Sequence, residues 1–387
     1  MLALTALALY TPLQQIDRPL VLVEDGVVAS VGSRLEREIP ADARLLDFKD
    51  GILAPGLVDI HIHGAGGFDV MQPDAQARGR MERFLAARGV TSYFPTTVTA
   101  PVDTIVRALE NLADGIERAA NHSEPGSTQP LGIHLEGPFL SHARKGVHPP
   151  ENLLPPRLAN FERFWQAARG HIRVMTIAPE LEGAAELIAE ATKRGVCISV
   201  GHSDADLKAT RAAVAAGARH ATHTFNAMRP LDHREPGILG EVLSSPALTA
   251  DIIADGIHVH PSVVRLFLRA KGPERAVLIT DGTAAAGMPD GKYWLGSMEM
   301  DVKDGRCLHQ GKLAGSVLTL DRAVHNAMQF GDWTLQQALR AATLNPATVA
   351  NAAKKGKIEP GLDADLLVLT AGGQVQAAIS RGVVAHS

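Results

Sequence analysis

The sequence predicts an α/β protein, a (β/α)8 TIM-like barrel carrying a small β-sandwich domain built from both chain termini. Two observations point there. Apolar runs alternate with amphipathic segments over roughly 250 residues, the length such a barrel needs, and at each end of the chain this texture gives way to strand and turn without helical periodicity. The runs are LVDIHIH (57–63), VTSYFPTT (90–97), LGIHLEG (131–137), IRVMTIA (172–178), VCISVGH (196–202), RHATHTF (219–225), LTADIIAD (248–255) and AVLITDG (276–282). With 387 residues, 45% of them hydrophobic, the chain can bury one large core and a smaller one.

Taken in order, residues 1–53 are strand-rich. The start, MLALTALALYTP, is as apolar as the centre of a signal peptide but has no basic residue before Arg18. Its first ten residues are therefore expected to form one strand of the small sheet, with secretion the lesser alternative. RPLVLVEDGVVASVG follows as strand, tight Asp25-Gly26 turn, strand. At Ala54-Pro55-Gly56 the alternation begins. DAQARGRMERFLAARG and GAAELIAEATKRG are helix candidates, the second closing on Gly195 as a C-terminal cap. After Asp281 an insert with two Asp-Gly turns reads as a hairpin near the barrel mouth. Helical texture returns at LTLDRAVHNAMQF and TLQQALRAATLNPATVANAA, and the end is strand and turn again. The expected division is 1–53 plus 354–387 for the composite sandwich and 54–353 for the barrel.

Composition removes several function classes. A net charge of -4, no basic stripe and 4% aromatic residues argue against a nucleic-acid partner. No apolar run approaches the roughly 20 residues of a membrane-spanning helix. Cys197 and Cys307 are far apart and form no CxxC, so neither a thiolate metal site nor a disulfide framework is expected, and a cytoplasmic setting follows by default.

The chemistry gathers where the proposed strands end. His202 and His223 are 223 − 202 = 21 residues apart, the span of one strand–helix–strand unit with a histidine at the carboxyl end of each strand. That rim is where barrels place their reactive groups. The other strand ends carry His61 and His63, Thr96-Thr97, Glu136, Glu180, Asp255 with His258 beyond it, and Asp281. A catalytic divalent metal commonly takes three protein ligands and keeps an open position, and Glu136, His202 and His223 offer the three. In Asp59-Ile60-His61-Ile62-His63 the histidines two apart share one face of a strand. They either hold a second metal with Glu136 bridging or only bind water. Asp281 either serves as a proton-transferring carboxylate or caps the next turn. His148 lies in a Pro-rich loop, Arg234 has Glu235 and Glu241 as potential partners, and His258 competes with His260 two residues on.

PGLVDIHIHG, LEGPFL followed by KGVH, GHS, HTFNAM, REPG, DGIHV, TDG and the closing NPA with GKIEPGLDADLLVL resemble the amidohydrolase superfamily and, within it, the N-acetylglucosamine-6-phosphate deacetylases. The resemblance implies hydrolysis of the acetamide of N-acetyl-D-glucosamine 6-phosphate, in amino-sugar catabolism and cell-wall sugar recycling. It also implies roles: Glu136, His202 and His223 as metal ligands, with His61 and His63 able to add a second ion; Asp281 as the base for the attacking water and then the acid for the departing amine; His148 beside the scissile amide. Asn226, Ala227 and His258 match the sugar-phosphate contacts. Arg234 matches a phosphate contact offered by the neighbouring subunit of a homodimer. The cofactor implied is zinc, with iron, manganese or cobalt as alternatives, at one or two ions per subunit. Deacetylation of the N-acetylgalactosamine isomer, another amidohydrolase acting on a small amide, an inactive assembly subunit and a sugar-phosphate sensor are the rival readings. The inactive subunit is expected to lack a ligand and the sensor to lack Asp281, and both features are present.

Overall fold

The computed structural model describes residues 1–121 and 126–386. All eight expected runs form parallel barrel strands: β1 (Leu57–Ile62), β2 (Val90–Thr97), β3 (Ile133–Glu136), β4 (Ile172–Ile177), β5 (Cys197–Val200), β6 (His220–Ala221), β7 (Ala250–Ile253) and β8 (Ala276–Ile279). Most of these runs are rich in apolar residues because strands covered by helices are buried on both faces. β1 to β6 are hydrogen-bonded in sequence order, and β7 pairs with β8. Isolated bonds close the ring. Thr224 donates its N–H to the Asp251 carbonyl at 2.9 Å across β6 and β7. Across β8 and β1, His63 donates to Gly282 at 2.8 Å and Asp281 to His61 at 2.9 Å.

The outer helices start and stop as their ends dictate. Helix Ala75–Ala87 is capped by the Asp74 carboxylate, which accepts the Ala77 N–H at 2.9 Å. After helix Ala184–Lys193 the chain turns at Gly195 with φ +81°, a conformation that favours glycine.

The termini form two sheets. One is wholly N-terminal, in the order Val27–Ser33, Pro19–Glu24, Leu2–Thr5, Arg44–Asp47. The other has six strands and interleaves both ends of the chain: Val383–His386, Val375–Ser380 and Leu366–Leu369 beside Ile52–Pro55, Ala8–Tyr10 and Gln15–Asp17. Leu4, Val21 and Val23 of the first sheet and Leu9, Leu53, Leu366 and Ile379 of the second share one apolar cluster. The expected Asp25-Gly26 turn is present, with both residues at positive φ.

Two local expectations are corrected. The first ten residues are not one strand: Leu2–Thr5 belongs to the first sheet and Ala8–Tyr10 to the second, the chain crossing at Ala6-Leu7, where Leu7 donates to the Gly51 carbonyl. The insert is a four-stranded antiparallel sheet rather than a hairpin, running Gly291–Leu295, Met298–Lys303, Arg306–His309 and Lys312–Leu313. Asp304-Gly305 makes one of its turns, whereas Asp290-Gly291 only leads into the first strand.

Lys355 ties the terminal sheets to the barrel. It is buried, and its Nζ lies 2.7 Å from Asp365, 2.8 Å from Asp363 and 3.2 Å from the Gln129 amide oxygen. Burial disfavours its charge, but the two carboxylates override this and raise its pKa. Replacing Lys355 with Met strands both carboxylates without a counter-ion, which costs about 3–5 kcal/mol. Urea denaturation should register a loss of that order, and an unchanged midpoint would show that the pair is dispensable.

Candidate metal centre and active site

The strand ends deliver seven ionisable side chains into one place. His61 and His63 come from the end of β1, Glu136 from β3, His202 and His223 from just beyond β5 and β6, Asp281 from just beyond β8, and His148 from the loop after β3. All are buried. Glu136 is central. Its Oε1 lies 3.1 Å from His223 Nε2, 3.4 Å from His202 Nε2 and 3.5 Å from His61 Nε2. Its Oε2 lies 3.1 Å from His63 Nε2 and 3.7 Å from His148 Nε2. Asp281 Oδ1 faces the first-strand pair, 3.2 Å from His63 and 3.5 Å from His61.

The backbone is bent to achieve this. His202, His223 and Asp281 have φ of +48°, +29° and +48°, conformations that cost of order 1–3 kcal/mol each and persist only where their surroundings hold them. The loop carrying His148 approaches closely. A Cβ on Gly146, at φ +62°, would meet the His202 ring at 3.1 Å.

Electrostatics follow from the crowding. Burial opposes ionisation of Glu136, but His61, His202 and His223 overcome it and hold the carboxyl well below its ordinary range. Burial likewise works against the charged form of Asp281, yet His61 and His63 bring its pKa down to about 2. Burial would depress His63 and His223; carboxylates reverse this, Asp281 and Glu136 carrying His63 up to about 10 and Glu136 carrying His223 up to about 9. His148 goes the other way, lowered by burial and then by the neighbouring His202 ring.

Several of these groups are unsatisfied without a cation. Both ring nitrogens of His61 and Nδ1 of His223 are buried with no hydrogen-bond partner among the described residues. Nε2 of His202 and Nε2 of His223 face each other at 3.0 Å, an approach that leaves room for at most one proton between two lone pairs. His61, His63 and Asp281 form one group able to hold a metal ion, and Glu136, His148 and His202 another. Imidazole nitrogen with carboxylate oxygen is a donor set that suits divalent transition metals.

The cluster opens into a cavity of about 170 Å³. Asn226, Ala227 and His258 line it together with His63, Glu136, His148, His202, His223 and Asp281, and Val98, Leu295 and Leu313 supply an apolar wall. His258 and His260 are placed differently. His258 lines the cavity with Nδ1 paired to Asp255 at 2.7 Å, while the exposed His260 caps helix Pro261–Arg275. Arg234 is not brought to the cavity. It sits on an exposed turn with its backbone N–H on Asp232, and Glu241 is paired with Arg211 at 2.9 Å.

Sequence reasoning missed the groups that orient the cluster. Thr99 gives His148 Nδ1 two contacts, its N–H at 3.3 Å and its Oγ1 at 2.8 Å. Because a backbone N–H can only donate, Nδ1 must accept and the ring proton lies on Nε2, facing the cluster. Below, His134, Thr176, Thr222 and Ser199 form a buried hydrogen-bonded chain with links of 2.8, 2.8 and 2.5 Å. His134 Nδ1 lies 2.9 Å from the Ile60 carbonyl, and its ring packs edge-on against His61. His134 stands two residues before Glu136 in the same strand and so shares its face, the one signal the sequence offered.

The geometry now has a comparison. The amidohydrolase family profile matches residues 52–385. The chain is 36% identical to the N-acetylglucosamine-6-phosphate deacetylase of Bacillus subtilis (strain 168), covering 98% of this chain and 96% of that protein. It is 37% identical to the N-acetylgalactosamine-6-phosphate deacetylase of Escherichia coli O157:H7, covering 94% and 93%. The structure of an aspartate-to-alanine variant of N-acetyl-D-glucosamine-6-phosphate deacetylase from Mycobacterium smegmatis, in complex with N-acetyl-D-glucosamine-6-phosphate, matches with a TM-score of 0.92 at 33% identity over 100% of this chain and 99% of that one. With a barrel rim of imidazoles and carboxylates and a family match spanning most of its length, the chain belongs to the amidohydrolase family.

Proposed function

We propose that this protein hydrolyses the acetamide of N-acetyl-D-glucosamine 6-phosphate, giving D-glucosamine 6-phosphate and acetate. The observation that carries the reading is the convergence of Glu136, five histidines and Asp281 in one buried cluster that opens into the cavity, in a chain alike over nearly its full length to deacetylases of amino-sugar phosphates. Glu136, His202 and His223 would hold a divalent ion, zinc first, with iron, manganese or cobalt as alternatives, and His61 with His63 would hold a second. Such an ion supplies Lewis-acid polarisation of the amide and lowers the pKa of water towards about 7.

The chain's own groups divide the remaining work. Asp281, ionised throughout the neutral range, takes the proton of the attacking water and returns it to the amide nitrogen as the C–N bond breaks, so that the leaving group departs as a neutral amine. His148, neutral and with its proton on Nε2, donates a hydrogen bond to the carbonyl oxygen as negative charge develops there. Asn226, Ala227 and His258 would bind the sugar phosphate. Arg234, exposed in the single chain, would reach the phosphate in the neighbouring subunit of a homodimer, where a guanidinium fork suits phosphate oxygens. The reading includes a cytoplasmic setting, consistent with two free thiols, and the division into 1–53 plus 354–387 and 54–353. No helix among the described residues is long and apolar enough to cross a membrane.

Acetate release from N-acetylglucosamine 6-phosphate, beside the unphosphorylated sugar and the galactosamine isomer, tests the reading. Turnover should require the phosphate, and Arg234→Ala should raise KM for the phosphorylated substrate with little change in kcat. The relative named for the galactosamine isomer is equally similar, so faster turnover of that isomer would move the assignment to it. No acetate from any of the three would refute it.

Asp281→Asn cannot accept the proton and should lower kcat by about 10²–10⁴-fold while the protein still takes up its ion. Near-normal turnover in that variant would remove Asp281 from the chemistry.

Ion uptake should also release protons. Without a cation His63 and His223, with pKa values of about 10 and 9, are protonated at neutral pH, and a metal needs their lone pairs. Affinity should therefore rise with pH up to about 9–10 and fall as pH drops. Calorimetric titrations in buffers of different ionisation enthalpy read the protons directly; an enthalpy independent of buffer would contradict the assignment of these ligands.

A further inference from the structure

The histidines of the cluster are oriented in two different ways. His63 and His202 each use Nδ1, paired with the Thr96 carbonyl at 2.9 Å and the Arg144 carbonyl at 3.0 Å. This is the common device for fixing a ligating imidazole. For His61 and His223, Nδ1 has no partner among the described residues. In both, the backbone N–H is instead taken by a buried aspartate carboxylate: Asp59 Oδ1 accepts from His61 at 3.2 Å, and Asp251 Oδ1 accepts from His223.

Both aspartates stand at the two places where the barrel lacks a strand ladder. Asp59 bridges β1 to β8, its Oδ2 accepting from Thr280 Oγ1 at 2.6 Å. Asp251, in β7, reaches across to β6 three times. Oδ1 takes the His223 N–H, Oδ2 pairs with His220 Nε2 at 2.9 Å, and the Asp251 carbonyl accepts the Thr224 N–H at 2.9 Å. The far side of the His220 ring is fixed by Thr249 at 2.7 Å. His223 thus has its φ of +29° locked from below while its ring has no hydrogen bond behind it.

We propose that Asp251 is a positioning residue, whose hold on the His223 backbone sets where the His223 ring points and so sets the affinity of the site for its divalent cation. The proposal rests on the assignment of Glu136, His202 and His223 as cation ligands. It separates two functions of one carboxylate: Oδ1 serves the ligand, and Oδ2 with His220 serves the seam. Loss of the second should destabilise the fold without touching affinity, whereas loss of the first should do both.

Zn²⁺ affinity of chelator-stripped full-length protein, measured by competition with a chromophoric chelator, is compared with the Tm of the same stripped samples for Asp251→Ala, Asp251→Asn and His220→Gln. Asp251→Ala should weaken Zn²⁺ binding about 10–100-fold, the range seen when an orienting partner of a ligand is removed. Asp251→Asn keeps an oxygen for the His223 N–H and should recover affinity to within about threefold of wild type. His220→Gln should lower Tm and leave affinity within about threefold. Asp251→Ser, too short to reach, replaces the alanine variant should that fail to fold. An affinity within about twofold of wild type in Asp251→Ala or Asp251→Ser, or losses that follow Tm across all variants, would overturn the proposal. Wild-type protein that binds no Zn²⁺, or binds it equally well as Glu136→Ala, would overturn the underlying ligand assignment instead.

Discussion

A carboxylate withdrawn from water must be compensated, and the arrangement of this molecule follows from how Glu136 is compensated. Several kcal/mol oppose burying such a charge alone. Five histidines within 3.7 Å supply the answer, but imidazoles at that density repel one another once protonated; the pKa of His148, lowered first by burial, is lowered further by the His202 ring. A cation held between carboxylate and neutral rings relieves both problems. The same negative potential keeps His63 and His223 basic, so the site is poised to exchange protons for a metal ion.

The barrel provides what such a cluster needs: strand ends that fix Cα positions and loops that leave side chains free. Left-handed backbone at His202, His223 and Asp281 turns these side chains inward, and rigid surroundings hold the strain. The insert sheet completes the cavity from outside. Its core includes Leu295 and Ala314 packed with Val98, so the apolar wall of the site and the interior of the insert are one cluster. The N-terminal and C-terminal strands are interleaved in one sheet and linked to Gln129 through Lys355.

Much of this was legible in the chain because it is local. Each barrel strand is a short apolar run, and the group that follows the run marks the rim, which is how Glu136, His202, His223 and Asp281 could be found without coordinates. What was not legible depends on which strands become neighbours and how the ring closes. Asp251 sits inside LTADIIAD, where nothing distinguishes it from a chance polar residue until β7 is placed beside β6. Thr99 lies 49 residues from the histidine it orients. The break at Ala6-Leu7 is hidden because both strands are equally apolar, and Arg234 was picked out by motif alone, its surroundings in the single chain being open.

The most direct test of the central claim, that Glu136 with its histidines is a cation site, is anomalous X-ray scattering from crystals of the protein grown with Zn²⁺, recorded on both sides of the zinc edge. The account predicts a peak between Glu136, His202 and His223, with any second peak beside His61 and His63. Crystals whose zinc signal lies elsewhere, or that show none while these side chains keep their positions, would contradict it.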